Sequence, residues 1–200
     1  GSGYPALYFD GGDGLVVPHD EAFNAPVVSL LAVIVAESLA AFKIAYSRVI
    51  DENWNNGQII VTMGSDRVIC ASRGYSGGAN ITMAVNSMRA LLCTTNTDIT
   101  ENVAFSSTGI ISSHIYGSGY SHTQPGGIGN GGAAGGSYGW LGAIHHLIFV
   151  NRELRLNEIE WCKYLLSDRW GLGVAEPPAI GGGNPMLAFQ HGLEIGRSGA

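Results

Sequence analysis

The chain is divided into short apolar runs that are separated by segments rich in glycine, asparagine and serine. Ten such runs are found, at 6–9, 14–17, 27–36, 42–49, 58–63, 67–72, 80–85, 89–94, 108–116 and 143–150. Short runs at this spacing are typical of antiparallel sandwiches and barrels. Glycine makes up 30 of the 200 residues, about twice its usual share, which agrees with many tight turns. The pattern therefore predicts an all-β domain.

Two stretches are open to a second interpretation. Residues 36–46, AESLAAFKIAY, have good helix propensity, but they lack a convincing N-cap and their neighbours are β-branched, so we predict strands there. Between residues 117 and 142, glycine supplies 11 of 26 positions. Because glycine packs poorly within a strand, we predict a long irregular loop or a set of tight turns over that segment.

One amphipathic helix is predicted near the carboxyl terminus, over residues 157–170. Asn157 is a favourable N-cap, and Glu160 three residues later completes a capping-box pattern. Gly171 lies where a left-handed C-terminal cap belongs. Residues at spacings of three and four form one apolar stripe that is predicted to pack on the sheet: Ile159, Cys162, Leu166 and Trp170.

The charge content limits the kinds of partner. Charged residues make up only 13% of the chain, against about 25% in a typical soluble domain, so much of the surface is expected to be uncharged and to meet a neighbour. The formal net charge is −6, and the 10 basic residues are scattered. A chain without a basic patch is not expected to bind nucleic acid.

Neither a membrane span nor a disulfide framework is predicted. The most apolar stretch, residues 25–36, is shorter than the ~20 residues that a spanning helix needs, and no basic flank precedes it as in a signal peptide. Cys70, Cys93 and Cys162 are odd in number and have no C-x-x-C spacing. We therefore expect buried, reduced thiols and assembly in a reducing compartment.

An acidic, glycine-rich stretch, DGGDG, follows the first apolar run at residues 10–14. It does not fit an EF-hand loop, because glycines occupy the third and fifth ligand positions and Leu15 replaces the required glycine. We predict a turn in which the aspartates bond to local amides, and no cofactor. A looser calcium site at Asp10 and Asp13, completed by backbone carbonyls, is the alternative.

Two short matches to catalytic motifs lack their structural context. The glycines of 127–132 fit G-x-G-x-x-G, but no βαβ unit is predicted around them. The sequence GYSGG at 74–78 fits G-x-S-x-G, with Asp98 and His114 following in hydrolase order. Because a strand rather than a helix is predicted after Ser76, this motif is assigned to a surface turn.

Adjacent histidines and exposed aromatic residues are the remaining candidates. His145 and His146 lie next to each other on a predicted strand, so we expect them to point to opposite faces and to have structural roles. Aromatic side chains beside amides and hydroxyls are suited to binding sugars. Candidate carbohydrate-binding residues are Trp54 and Asn56 at one site, and Tyr116, Tyr120 and Tyr138 at another.

Two longer motifs resemble a known family. The stretch ALYFDGGDGLVVP at residues 6–18 is similar to the first hairpin of the concanavalin A-like lectin/glucanase superfamily, in its laminin-G-like and pentraxin-like branch. The stretch at 140–172, with its long strand, Asn-Arg turn, capped helix and Trp-Gly ending, resembles the end of that family. The glutamate-containing catalytic strand of the family's glucanases is absent from the sequence.

The resemblance implies an antiparallel two-sheet jelly roll over residues 1–172, including helix 157–170. Residues 173–200, rich in glycine and proline, are interpreted as an arm outside the domain. We expect a noncatalytic virion or surface module, such as a phage decoration, fibre or tail-associated protein. Its expected partners are other subunits, contacted through the arm in a homo-oligomer, and a host-surface glycan. A lectin domain of a larger secreted or surface protein is the alternative, and a glycoside hydrolase is a more remote one.

Overall fold

The structure is a computed structural model that describes residues 5–21, 28–49, 57–64, 66–71, 79–96, 101–106, 111–115, 125–130 and 138–172. Its strands and helix are β1 (Leu7–Asp10), β2 (Leu15–Val17), β3 (Ser29–Ala36), β4 (Ile44–Val49), β5 (Gly57–Thr62), β6 (Arg67–Ala71), β7 (Ala79–Thr82), β8 (Met88–Asn96), β9 (Glu101–Ser106), β10 (Ile111–Ile115), β11 (Gly126–Ile128), β12 (Leu141–Val150) and α1 (Leu156–Trp170). The predicted all-β fold with one late helix is confirmed.

The strands form two six-stranded sheets whose neighbouring strands are antiparallel. The helix-side sheet has the order β1-β12-β3-β8-β9-β10, and the opposite sheet has the order β2-β11-β4-β5-β6-β7. The two sheets pack face to face over one apolar core, which includes Phe9, Leu30, Ile60 and Trp140. This arrangement is the expected jelly-roll sandwich.

Strand β3 is apolar along its whole length because both of its faces are covered. Leu30 and Ile34 point into the core between the sheets. Leu31 and Val33, on the alternate face, belong to a second cluster that includes Ile159 of α1. The most apolar stretch of the sequence is therefore a central strand of the helix-side sheet, packed between the opposite sheet and the helix.

Helix α1 begins one residue earlier than predicted, and its cap differs from the prediction. The Ile159 amide donates to the Arg155 carbonyl at 2.9 Å, which makes Arg155 rather than Asn157 the N-cap. The Arg155 amide donates to the Glu158 carboxylate at 2.8 Å, so Glu158 and not Glu160 closes the turn. The prediction chose Asn157 because its side chain is the better N-cap by residue type. The helix instead begins two residues earlier than that choice of cap allows, with the Glu158 carboxylate bonded to the Arg155 amide.

The rest of the helix prediction is confirmed. All four residues of the predicted stripe are buried against the helix-side sheet: Ile159, Cys162, Leu166 and Trp170. Gly171 ends the helix in the left-handed region, with φ at +66°. The three cysteines are buried and unpaired, as expected. Cys70 and Cys93 come from opposite sheets, and their mutual hydrogen bond, together with burial, raises the pKa of Cys70 well above its usual range.

The sequence analysis missed two strands. Strand β9 lies between β8 and β10 in the helix-side sheet, in a segment without a predicted element. Strand β11 lies within the segment predicted to be loops, and it pairs with both β2 and β4. Gly129, directly after β11, makes room for a large neighbour: a Cβ on it would lie 2.1 Å from the Phe9 ring. The expectation of strands at residues 36–46 holds only at the two ends of that stretch, since β3 ends at Ala36 and β4 begins at Ile44, and residues 37–43 between them form neither a strand nor a helix.

The acidic, glycine-rich stretch is the corner at which the chain crosses from one sheet to the other. The Gly12 amide donates to Asp10 Oδ1 at 2.8 Å, and Gly11 has a φ of +93°. This geometry is that of the predicted turn. The corner also packs closely on the start of β12, because a Cβ on Gly139 would lie 1.9 Å from the Gly11 carbonyl oxygen.

Candidate functional site

Of the five predicted carbohydrate-binding residues, only one lies within the described residues. Trp54, Asn56, Tyr116 and Tyr120 lie outside them. Tyr138 is described and half-buried, directly before β12. The surroundings of Tyr138 contain further residues suited to binding a sugar.

Tyr138 lies on the outer face of the opposite sheet, beside the first residue of β4. Its carbonyl accepts a hydrogen bond of 2.8 Å from the Ile44 amide. The side chain packs against a buried apolar cluster on this face: Ile44, Ile59, Val61 and Ile69. Its ring meets the ring of Phe42 edge-on, with 6.3 Å between the centroids and an angle of 78°. Two aromatic rings thus sit together at one end of this face.

A row of side chains extends from these rings across the neighbouring strands. Met63, half-buried, packs against the same cluster, and its amide donates to the Arg67 carbonyl at 2.9 Å. Arg67 in turn pairs with Thr82 of β7. Because side chains alternate along a strand and Ile69 lies on the outer face, Arg67 and its partner Thr82 also point outward.

Arg67 and Thr82 are exposed, and within the described part of the chain neither side chain has a hydrogen-bond or ion-pair partner. A guanidinium without an ion pair is available to donate two parallel hydrogen bonds to a ligand. The hydroxyl of Thr82 can both donate and accept. These are the polar groups that vicinal sugar hydroxyls or a carboxylate require.

The backbone of Phe42 has an unusual conformation. Its φ is +67°, in the left-handed region that bulky side chains rarely adopt. Such a conformation costs on the order of 1–3 kcal/mol and persists only where the surroundings hold it. The Phe42 amide is fixed by a 2.7 Å bond to the Thr62 carbonyl. The ring nevertheless stays 38% exposed, so the strain presents an aromatic surface to solvent rather than burying it.

We call this group the end patch: Phe42, Met63, Arg67, Thr82 and Tyr138. It joins two aromatic rings and a thioether to an exposed guanidinium and an exposed hydroxyl on adjacent strands. With strands about 4.8 Å apart, the row covers roughly 15 Å, which is more than one sugar ring. The patch has the chemistry of a shallow sugar site, with apolar faces for stacking and a few polar groups for orientation.

Sequence reasoning found Tyr138 but missed the other four members of the end patch. Met63 ends one predicted strand and Arg67 begins the next, so the sequence pattern could have predicted that the two residues face each other at the end of a hairpin. The left-handed backbone of Phe42 has no signal in the sequence. Tyr138 lies beside Ile44, the first residue of β4. Trp54 and Asn56 follow Val49, the last residue of β4, in the sequence, and a strand of this length separates its two ends by ~17 Å.

The two adjacent histidines do not point to opposite faces, so that prediction was wrong. A β-bulge interrupts β12 between Ile144 and His146. Ile144 and Leu147 both belong to the core between the sheets, so the two residues between them lie on the helix side. His145 contacts Trp170, with 4.8 Å between ring centroids. The positive charge of Arg169 lowers the pKa of His146. Both imidazoles thus adjoin the end of α1.

Both histidines are less basic than a free imidazole. Burial lowers the pKa of His145, although a backbone hydrogen bond to the Pro5 carbonyl partly opposes this effect. Burial also lowers the pKa of His146, and the positive charge of Arg169 lowers it further. The ring contact of His145 with Trp170 and the lowered pKa of both imidazoles fit the predicted structural role.

The remaining polar groups do not assemble a second site in the described residues. Within those residues, no cluster of three or more histidine, cysteine, aspartate or glutamate side chains could hold a metal ion. The calcium alternative at Asp10 and Asp13 stays a hypothesis. Buried Arg48 donates to His19 Nδ1 at 2.9 Å and thereby ties the chain after β2 to β4. Ser76 and Asp98 of the hydrolase-like pattern lie outside the described residues.

Two six-stranded antiparallel sheets with a helix on one outer face define the fold class: an antiparallel jelly-roll β-sandwich. Solved structures of other proteins share this fold at low sequence identity. The chain is similar to the CBM40 module of the Ruminococcus gnavus IT-sialidase bound to α2,3 sialyllactose, with a TM-score of 0.60 and 11% identity over 76% of this chain and 93% of that one.

Two further structures are similar. One is the leech intramolecular trans-sialidase, with a TM-score of 0.61 and 10% identity over 88% of this chain and 28% of that longer one. The other is the heptameric SAP-like pentraxin of Limulus polyphemus, with a TM-score of 0.50 and 12% identity over 75% of this chain and 77% of that one. No family model and no curated protein matches the sequence. These likenesses establish the fold.

Helix α1, with 15 residues, is too short and too polar to cross a bilayer, and the described part of the chain holds no other helix that could.

Proposed function

We propose that the protein is a noncatalytic glycan-binding module whose binding surface is the end patch. The observation that carries this proposal is the strained, 38% exposed Phe42 beside Tyr138, in one row with Arg67 and Thr82. An apolar ring held at the surface against its backbone preference has a function that folding does not supply.

The chemistry of the patch fits a sugar better than other small ligands. The faces of aromatic rings stack on the C–H face of a pyranose, and the edge-to-face arrangement of Phe42 and Tyr138 offers surfaces at two orientations. Arg67 donates to adjacent hydroxyls or to a carboxylate on the same ligand. Met63 fills the space between the rings and the guanidinium, and its flexible side chain adapts to the ligand.

The similar structures support a binding role. The IT-sialidase CBM40 structure, which shares this fold, is bound to α2,3 sialyllactose. The nearest approach to an acidic cluster in this chain is Glu158 and Glu160 in the first turns of α1. Glu158 caps the helix and pairs with Arg152. The Glu-x-Asp-x-x-Glu segment on which the family's glucanases carry their paired carboxylates is absent from the sequence. A glycoside hydrolase therefore remains the remote alternative.

Binding of the full chain to a glycan array tests this proposal. The strongest ligand from the array, with α2,3 sialyllactose and lactose as fixed probes, is then titrated against variants. Phe42→Ala and Arg67→Ala are each expected to weaken binding by about tenfold or more, as truncation of a central contact does. Arg169→Ala is the matched control, because this exposed arginine lies on α1, on the other side of the sandwich.

Other outcomes separate the alternatives. Loss of binding in Trp54→Ala or Tyr120→Ala, with Phe42→Ala unaffected, would move the glycan site to the other predicted residues. Glycan binding by neither the full chain nor any variant would refute the binding role. Release of reducing sugar in proportion to protein, from independently purified batches, would favour the hydrolase.

The setting of the module is a second proposal. We propose a virion or surface structure, such as a phage decoration, fibre or tail-associated protein, in which residues 173–200 contact neighbouring subunits. Unpaired buried cysteines and a low content of charged residues support assembly inside a cell before release. A lectin domain within a larger secreted or surface protein is the alternative. Deletion of residues 174–200 is expected to abolish particle or oligomer formation in the first case and to leave glycan binding unchanged in both.

A further inference from the structure

One side edge of the sandwich is apolar and exposed. β1 is the outermost strand of the helix-side sheet, and β2 is the outermost strand of the opposite sheet. Large apolar side chains on these strands are about half exposed or more: Leu7 52%, Tyr8 57%, Leu15 46% and Val16 73%. Neither strand carries a lysine or an arginine. Unprotected edges of this kind accept further strands.

Two of these residues border the gap between the sheets. Leu7 lies on the same side of β1 as Phe9, which is buried in the core. Leu15 pairs with Ile128, which packs against that same core. One leucine from each sheet therefore flanks an apolar slot at the edge of the sandwich. An added strand with one apolar face would cover both leucines.

The chain leaves the described domain close to this edge. The Trp170 ring at the end of α1 contacts His145, which follows Ile144 on β12. Ile144 pairs directly with Leu7 of β1. The chain after Leu172 thus begins one strand away from the edge, and 28 further residues follow in the sequence.

Those residues contain a segment with the pattern of a strand. From residue 187 to residue 195, LAFQHGLEI, four of the five odd positions hold large apolar side chains, and the even positions hold small or polar ones. The odd side consists of Leu187, Phe189, His191, Leu193 and Ile195, and the other side of Ala188, Gln190, Gly192 and Glu194. This alternation, interrupted on the apolar side at His191, predicts a strand with one buried face.

We propose that residues 187–195 of one copy add as a strand to the β1 edge of the helix-side sheet of a second copy, and that two copies exchange these arms reciprocally. The apolar side of the arm covers Leu7 and Leu15. Because each arm leaves its domain beside the edge, a two-fold axis next to that edge brings each arm within reach of the partner's edge. The intervening Pro177-Pro178 pair favours an extended chain, which leads the arm away from its own domain.

This inference rests on the proposed assembling role of the arm and not on the end patch. The test is the molar mass of the full chain by light scattering over a range of concentrations. The wild type is expected to be a dimer. Leu187→Glu/Phe189→Glu, on the apolar side, is expected to be a folded monomer. Ala188→Glu/Gln190→Glu adds the same charge on the other side and is expected to stay a dimer.

Hydrogen exchange locates the contact. Amides of β1 are expected to exchange at least about tenfold more slowly in the wild-type dimer than in the Leu187→Glu/Phe189→Glu monomer, because strand addition gives them hydrogen-bond partners. A wild-type monomer, a dimer that survives Leu187→Glu/Phe189→Glu, or equal protection of the edge in the monomer would each overturn the proposal. Glycan titration of the same variants tests the binding role separately: the arm variants are expected to bind glycan as the wild type does, whether or not the dimer forms.

Discussion

The imidazole of His145 lies 4.8 Å from the indole of Trp170, at an angle of 58°, because a β-bulge turns both His145 and His146 toward the end of α1. Within the described residues, His145 Nδ1 is buried without a hydrogen-bond partner. The last turn of α1 therefore lies beside two imidazoles, His145 and His146, whose lowered pKa favours the neutral form.

This packing makes stability depend on pH. Burial lowers the pKa of both histidines in the folded state, so the unfolded chain binds protons more readily. Stability is fully present above the unfolded pKa of about 6.5 and falls as pH decreases through the lowered folded pKa. The urea midpoint of the wild type is expected to fall more between pH 7.5 and pH 5.5 than that of His145→Gln/His146→Gln. Equal losses in the two proteins would contradict this account.

A second prediction concerns the cap of α1. Glu158 accepts hydrogen bonds from Arg152 at 2.8 and 2.9 Å and from the Arg155 amide at 2.8 Å. Burial alone would raise the pKa of Glu158, but these hydrogen bonds lower it overall. Glu158→Gln is expected to reduce the free energy of unfolding by about 1 kcal/mol. Glu160→Gln removes only a surface pair with Lys163 and should cost less than about 0.5 kcal/mol. Denaturant titration distinguishes the two, and a larger loss in Glu160→Gln would restore the cap predicted from the sequence.

A third prediction tests the close approach of the corner to β12. A Cβ on Gly139 would lie 1.9 Å from the Gly11 carbonyl oxygen, so Gly139→Ala must displace one backbone segment. We expect a loss of about 2 kcal/mol or more in the free energy of unfolding. At Gly12 the nearest atom, Asp10 Oδ1, would lie at 3.4 Å, so Gly12→Ala is the control. Similar midpoints of thermal unfolding for the two variants would show that the corner does not pack as described.

A fourth prediction separates stability from function at Phe42. Glycine adopts a φ of +67° without strain, so Phe42→Gly relieves the backbone while it removes the exposed ring. The free energy of unfolding is expected to stay the same or to rise by about 1 kcal/mol, while glycan binding is lost. Calorimetry measures both quantities on one sample. A variant that is clearly destabilised, or that still binds the glycan, would show that the ring is a packing residue.

Much of the fold could be predicted from local patterns. The stripe from Ile159 to Trp170 and the Asp10 turn depend on residues near each other in sequence, and both were found. Strand β11 was missed because glycine-rich sequence is typical of loops, and the close neighbours of its segment, Ser47 at Gly126 and Phe9 at Gly129, are distant along the chain. The bulge at His145 was missed for a similar reason, since it depends on the register of β12 with β3.

The candidate site was less predictable than the fold. Tyr138 could be proposed because aromatic residues near glycine are visible in a sequence. Arg67 joins it only through the order of β4, β5 and β6 in one sheet, and Phe42 through a backbone conformation. A binding surface built from one residue on each of several strands has no contiguous motif.

The account depends most directly on where a glycan contacts the protein. The measurement is an NMR titration of the isotope-labelled full chain with the glycan that gives the strongest array signal. The largest chemical-shift changes are expected at Phe42, Met63, Arg67, Thr82 and Tyr138. They should require at least about tenfold more glycan in Arg67→Ala and the same amount of glycan in Arg169→Ala. Changes that cluster elsewhere, or that saturate at the same glycan concentration in Arg67→Ala, would contradict the assignment of the end patch as the glycan-binding surface.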